Sequence, residues 1–269
     1  MAAPTVVATA EPDNVPPRVK IVVTDTGTPA VSSVTVVRRD PDGSTVPVRT
    51  LDGNPLILST VGSNRVGTIY DPEPPLGITV TYSTLENPAS SSTAEVDSDL
   101  VWLVHPGVPS RSLTIDCRPA SFQSTGRSVN RGVFRPLGRK SAVVVTDGRR
   151  KSAETQLVFR TETLSQLDAV VNLVDDAQTL MLNVPPSYGW GITKAYIAVG
   201  DIDEDRPSDI GSYALRDWTF PYTVVDRPAG GSQAQWNYAG LLTSYASYAE
   251  AKAAFSSYAA VQANTPTGV

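Results

Sequence analysis

Cysteine, histidine and methionine are nearly missing from this chain of 269 residues, which has one Cys, one His and two Met. A single cysteine excludes an intrachain disulfide and any zinc site built on thiolates. Cys117 alternates with Leu113 and Ile115, the pattern of a small buried hydrophobe on a strand rather than of a nucleophile. The only histidine, His105, stands before a proline and can build neither a metal site nor the usual serine or cysteine hydrolase machinery alone. No run approaches the roughly 18 apolar residues of a membrane span, so none is expected. The start, Met1-Ala-Ala-Pro-Thr5, has no basic segment followed by an apolar core, so no signal peptide is expected and the protein is read as soluble and made in the cytoplasm. No glycine-rich phosphate loop follows a strand and no carboxylate pair has a committed spacing, so no catalytic residue and no cofactor are assigned. A non-enzymatic protein is expected.

What is abundant is Val and Thr, together with 22 prolines and 19 glycines. That mixture favours strands joined by many turns, and a mainly β protein. From Thr5 to Val104 the candidate strands are Val6 to Ala10, Val19 to Thr24, Ser33 to Arg38, Thr45 to Arg49, Val66 to Tyr70, Ile78 to Ser83 and Val96 to Val104. Asp40-Pro-Asp-Gly43 and Asn87-Pro88 mark turns between them. Short strands at this spacing predict a β-sandwich over residues 1–105. The stretch from Tyr70 through Pro72, Pro74, Pro75 and Gly77 to Tyr82 resembles a strand near the end of fibronectin type III and immunoglobulin-like domains. Val104-His-Pro-Gly-Val-Pro109 punctuates the chain and is taken as the boundary.

Residues 106–228 read as an α+β domain. Ala142 to Val145, a turn at Asp147-Gly148 and an alternating run at Thr155 to Phe159 predict a β-hairpin. Thr163 is a candidate N-cap, and Leu164, Leu167, Val170, Val171 and Val174 recur at helical spacing on one face. Strands follow at Leu180 to Val184 and Tyr196 to Asp201. Asp201, Asp203 and Asp205 have the alternation of a calcium loop, but Arg206 replaces the glycine of its sixth position and Ser212 the glutamate of its twelfth. A solvated acidic loop is the expectation, with these three as weak metal candidates only.

Five pieces in order carry a resemblance: Pro136-Leu-Gly-Arg-Lys140 through Thr146-Asp-Gly-Arg-Arg150, Leu180-Met-Leu-Asn-Val-Pro-Pro186, Val199-Gly-Asp-Ile202, Arg206-Pro-Ser208 and Trp218 to Pro228. Together they resemble the minor tail proteins of long-tailed bacteriophages of actinobacteria. That family is in turn distantly similar to distal tail and tail-tube proteins. The resemblance implies a split barrel with one helix beside its sheet, assembly into rings, and a structural role in the tail tip or baseplate of a virion, between tail tube and host-recognition apparatus. Its implied partners are copies of itself and other tail proteins.

After Gly230-Gly231-Ser232 the pattern changes to a ten-residue repeat led by Tyr238, Tyr248 and Tyr258, each preceded by Asn237, Ser247 or Ser257. Residues 229–269 therefore read as a linker and short capped helices. Units so short are marginal alone and need a surface to lie on.

The net charge of −5 is unevenly spread. From Pro106 to Arg160 there are 11 Arg and Lys against 3 Asp and Glu, which leaves 11 basic and 24 acidic residues elsewhere. The basic residues are not interleaved with aromatics and no helix carries them, so nucleic-acid readout is not expected. Arg139, Lys140, Arg149, Arg150 and Lys151, with the three repeat tyrosines, are instead assigned to a subunit interface. The alternative function is a carbohydrate or host-surface binding module, for which Trp190, between Gly189 and Gly191, would be the stacking residue.

Overall fold

Alternating burial builds the first hundred residues into two sheets. The computed structural model describes residues 4–230, apart from 29, 51–52, 54, 122–123, 136, 138–139, 151, 178 and 209–212, and residues 247–254. In chain order the first strands are β1 (Thr5–Glu11), β2 (Arg18–Asp25), β3 (Ser33–Val34), β4 (Val36–Arg39), β5 (Thr45–Pro47), β6 (Leu56–Ile57), β7 (Ser59–Val61), β8 (Asn64–Asp71), β9 (Val80–Thr84) and β10 (Ser91–Ala94). One sheet has the order β1-β2-β8-β7 and the other β10-β9-β4-β5, with β3–β6 a separate pair. Strand β2 shows why they form. Val19, Ile21 and Val23 point into the core with no exposure, while the residues between them face outward. Along one side the sandwich is sealed by side chains: the amides of Val6 and Ala8 donate to Ser90 Oγ (3.4 Å) and Ser92 Oγ (3.0 Å). The Asp40 turn forms as expected, with Gly43 N donating to Asp40 O at 3.0 Å.

The second half contributes β11 (Val101–Val104), β12 (Leu113–Cys117), β13 (Val129–Phe134), β14 (Val143–Arg150), β15 (Glu154–Thr161), α1 (Leu164–Asp176), β16 (Leu180–Asn183), β17 (Lys194–Val199), β18 (Asp203–Asp205), β19 (Arg216–Val225) and, in the C-terminal segment, α2 (Tyr248–Ala254). Six of these close on themselves in the order β15-β12-β11-β16-β17-β19, because β19 pairs back onto β15 over eight residues from Glu154↔Thr223 to Thr161↔Arg216. Closure leaves the barrel without an edge along most of its circumference. Its core gathers Leu157, Phe159, Leu180, Leu182, Ile197, Phe220 and Trp218. The Phe159 and Phe220 rings meet edge to face at 4.9 Å, and Trp218 Nε1 donates to Thr161 Oγ1 at 3.0 Å.

Helix α1 starts where its cap was expected. Thr163 Oγ1 accepts from Gln166 N while Gln166 Oε1 accepts from Thr163 N, a reciprocal capping box. Val170 and Leu173 are the buried residues of its inner face, whereas Leu164, expected on that face, is 61% exposed. The first turn lies beyond the barrel's cover, so the apolar spacing overstated the buried stripe by one turn.

Three expectations are corrected by strand pairing. Strand β11 was assigned to the sandwich, yet it pairs with β12 and β16 in the barrel, so the change of sheet comes before Val101 and not at His105. The hairpin expected at Asp147-Gly148 does not form: β14 pairs with β13, not β15, and the turn lies between Phe134 and Val143. Asp147 and Gly148 sit inside β14, where two steps of β13 (Val129 to Arg131) face four steps of β14 (Thr146 to Arg150); the turn-prone pair absorbs a bulge. The acidic stretch is not a loop throughout. Asp203–Asp205 is strand β18, paired with Asp217–Thr219 of β19 and collinear with β17 across a one-residue register shift at residues 200–202.

Candidate assembly surface

Where the sandwich meets the barrel, one wall serves both. Period-two alternation sends Val101, Leu103, Leu180, Leu182 and Ile197 to the barrel core, and Trp102, Val104, Met181 and Tyr196 to the sandwich core. Polar groups ring this seam. Arg38, 1% exposed, donates to Asp71 Oδ2 at 2.6 Å and Asp40 Oδ1 at 2.7 Å, Tyr82 OH donates to Asp71 at 3.0 Å, and Lys194 of β17 reaches Asp40 at 2.8 Å. Burial alone would raise the Asp71 carboxyl, but the Arg38 guanidinium holds it below the ordinary carboxylate range. Glu73, fully buried, accepts from Arg49 Nε at 2.8 Å and from Arg227 Nε at 2.9 Å, and Arg49 also donates to the carbonyls of Pro228 and Gly230. Asn183 of β16 donates to Pro74 O (2.8 Å) and accepts from Leu76 N (3.2 Å). The proline-rich stretch singled out for its likeness to a fibronectin strand thus ties sandwich to barrel.

These buried charges answer one another. A cavity of about 200 Å³ beside them is lined by Thr35, Val48, Pro55, Arg49 and Arg227, and both of its arginines are engaged by Glu73. Among the described residues no group of three His, Cys, Asp or Glu could hold a metal ion. Asp203 and Asp205 lie on one face of β18, while Glu204 on the other face bonds Arg216 at 2.7 Å. Burial pushes the Cys117 thiol up to about 12, which leaves it without thiolate character. His105 Nδ1 accepts from the amides of Gly107 (3.1 Å) and Val108 (3.0 Å), so the imidazole staples a turn. Burial, and then Arg111, lower its proton affinity.

The β13–β14 ribbon differs from everything else. It is a two-stranded sheet by itself. The isolated bridge Gly126↔Glu154 leads into it, so it extends past the end of β15. Its register sets Val133 opposite Val144, Phe134 opposite Val143 and Gly132 opposite Val145, which puts apolar side chains on both faces. Val133 is 49% exposed, Phe134 59%, Val144 53%, and Leu137 in the turn is fully exposed. A lone ribbon of this kind is marginal in water. Arg135 and Lys140 are exposed beside these residues. The backbone of Arg149 and Arg150 lies at the ribbon's base in β14, whereas Arg139 and Lys151 lie outside the described residues. So, of the basic positions predicted from sequence, Lys140, Arg149 and Arg150 fall on one projecting element. The apolar exposure escaped the sequence reading because Val143-Val-Val145 reads equally well as a buried strand.

The other interface positions are mostly beyond reach. Tyr238 and Tyr258 lie outside the described residues, and Tyr248 begins α2. Ser247 Oγ accepts from Glu250 N at 3.3 Å, the cap expected there. Trp190 stands edge to face with Tyr188 at 5.2 Å and packs partly against the barrel core, while Tyr188 is 39% exposed. Comparison with protein-family models and with curated proteins found no match to this chain.

Proposed function

We propose that this protein is a non-enzymatic structural subunit that assembles with copies of itself, and that it serves in the tail tip or baseplate of a long-tailed bacteriophage. The single observation that carries the assembly part is the projecting ribbon, apolar on both faces and basic in composition, attached to a body whose buried charged side chains are engaged by partners of its own. An apolar patch without internal cover marks a surface made for a partner. The placement in a phage tail rests on the resemblance of sequence pieces, and a sandwich joined to a closed barrel with one flanking helix is compatible with it. On this reading the sandwich is fibronectin-like, the barrel is the tail-tube-like module, and the protein ends up in the virion after synthesis in the host cytoplasm. The test is direct. Antibodies against the sandwich should label the tail tip of intact particles, and the purified protein should form closed rings by negative-stain electron microscopy. Labelling absent from every particle fraction would sink the tail assignment.

A second reading has one observation in its favour: Tyr188 and Trp190 form an aromatic corner on a glycine-flanked loop, as a sugar-stacking platform requires. It predicts retention on purified host envelope polysaccharide that is lost in Tyr188→Ala. Trp190 is partly committed to the barrel core, which weakens it.

A further inference from the structure

We infer that the ribbon of one copy docks along the outer edge of β18 in the next copy, in a head-to-tail contact; this deepens the self-assembly reading above and rests on it. Four observations converge. First, β18 ends its sheet order: one edge pairs with β19, and among the described residues no strand pairs with the other. A free edge offers a row of backbone donors and acceptors to an incoming strand. Second, the ribbon is the complementary object, a two-stranded sheet whose outer edges are equally free among the described residues.

Third, the charges are opposite. Between Gly126 and Lys151 the sequence has eight Arg and Lys and a single acid, Asp147. At β18 two cations are already engaged, Arg216 by Glu204 and Arg160 by both oxygens of Asp217 at 2.6 Å each, while Arg206 is exposed at 4.0 Å from Glu204. What remains is Asp201, Asp203 and Asp205, all exposed. Fourth, the apolar surfaces match in place. Tyr213, 42% exposed, precedes β19, and Leu164, 61% exposed, follows β15, both within three residues of the Thr161↔Arg216 pair that lies beside Asp205↔Asp217. They offer the apolar cover that Val133, Phe134 and Val144 lack.

The positions also dictate the symmetry. The ribbon leaves beyond Glu154, at one end of the β15–β19 pair, and β18 lies toward the other end, beside Asp217–Thr219 and so about 14–20 Å along the strands at about 3.4 Å per residue. Donor and acceptor surfaces on opposite ends of one subunit make a heterologous contact. Repeated in one direction, such contacts close into rings or run on as filaments.

Charge exchange on the full-length protein tests this. One variant reverses the ribbon (Arg149→Glu, Arg150→Glu) and another the edge (Asp203→Lys, Asp205→Lys), with self-association followed by sedimentation at low salt and folding by thermal melting. The wild type should associate, and each variant should lose at least about tenfold in affinity with unchanged melting, because like charges then face each other. Mixing the two variants should restore association, since each then presents an opposite charge to the other. Wild-type behaviour of the edge variant, or a mixture that stays dissociated, would remove β18 as the acceptor and leave self-assembly standing. A wild type that stays monomeric would overturn both readings. If such a monomer sediments with phosphatidylglycerol vesicles, the ribbon's occupant is an anionic lipid surface.

Discussion

The seam between sandwich and barrel and the β13–β14 ribbon use the same ingredients, valines, aromatics and arginines, to opposite ends. At the seam Arg38, Arg49 and Arg227 each meet a carboxylate, and Trp102, Val104 and Met181 are covered by the sandwich. On the ribbon Val133, Val143, Val144, Val145 and Phe134 remain in solvent, on two strands that, among the described residues, pair only with each other. The contrast separates a region that the chain completes itself from one that, on the proposed reading, a second copy completes. It also says which substitutions should unfold the protein and which should only isolate it.

The largest effect belongs to the seam. Asp71→Ala removes one of the two carboxylates that hold the buried Arg38, leaving only Asp40, and takes the acceptor from Tyr82 OH, in an interior where both Arg38 and Asp71 are 1% exposed; it should cost about 3–5 kcal/mol by guanidinium unfolding of the full chain. Next comes Asn183→Leu, which leaves the Pro74 carbonyl and the Leu76 amide without their buried partner and should cost about 1–3 kcal/mol for each. Both should lower a single transition shared by sandwich and barrel; two separated transitions would break the view of the seam as a common core. The ribbon should behave in the opposite way, with Phe134→Ser and Val144→Ser together changing stability by only about 0.5 kcal/mol, as exposed substitutions do. A small pH effect sharpens the comparison. His105 is held neutral in the fold, so protons bind more readily to the unfolded chain, and stability should fall as pH drops below the ordinary imidazole value of 6.5. The melting temperature of His105→Asn should lack that step between pH 7.5 and pH 5.5.

How much of this could be read beforehand follows from how far apart the determinants lie. Local signals were legible: the alternation in β2 and β15, the Thr163 cap with Gln166 three residues on, the Asp40 turn and the basic segment. Strand partners were not. Val101-Trp-Leu-Val104 is apolar at every position, which suits a wall with two buried faces and gives no sign of which sheet claims it. Asp147-Gly148 has turn chemistry, yet the pairing of Val133 with Val144 and Arg131 with Thr146 places it inside a strand as a bulge. Asp203–Asp205 is poor in strand propensity, and β19 recruits it through backbone bonds that sequence does not display. The seam was invisible for the same reason. Asp71 and Glu73 have their partners 33 residues upstream at Arg38 and 154 residues downstream at Arg227. In the candidate surface the charges were readable and the exposed valines were not, since exposure depends on what fails to pack.

The claim that the ribbon is an assembly element on an otherwise self-sufficient body is met most directly by the native mass of the full-length protein. Wild type and the Phe134→Ser, Val144→Ser variant would be compared at equal concentration, each beside its melting curve. The account predicts a wild-type mass several times the 28.6 kDa of one chain and a variant that is monomeric with the same melting temperature. A monomeric wild type, or a variant that keeps the wild-type mass, would contradict it.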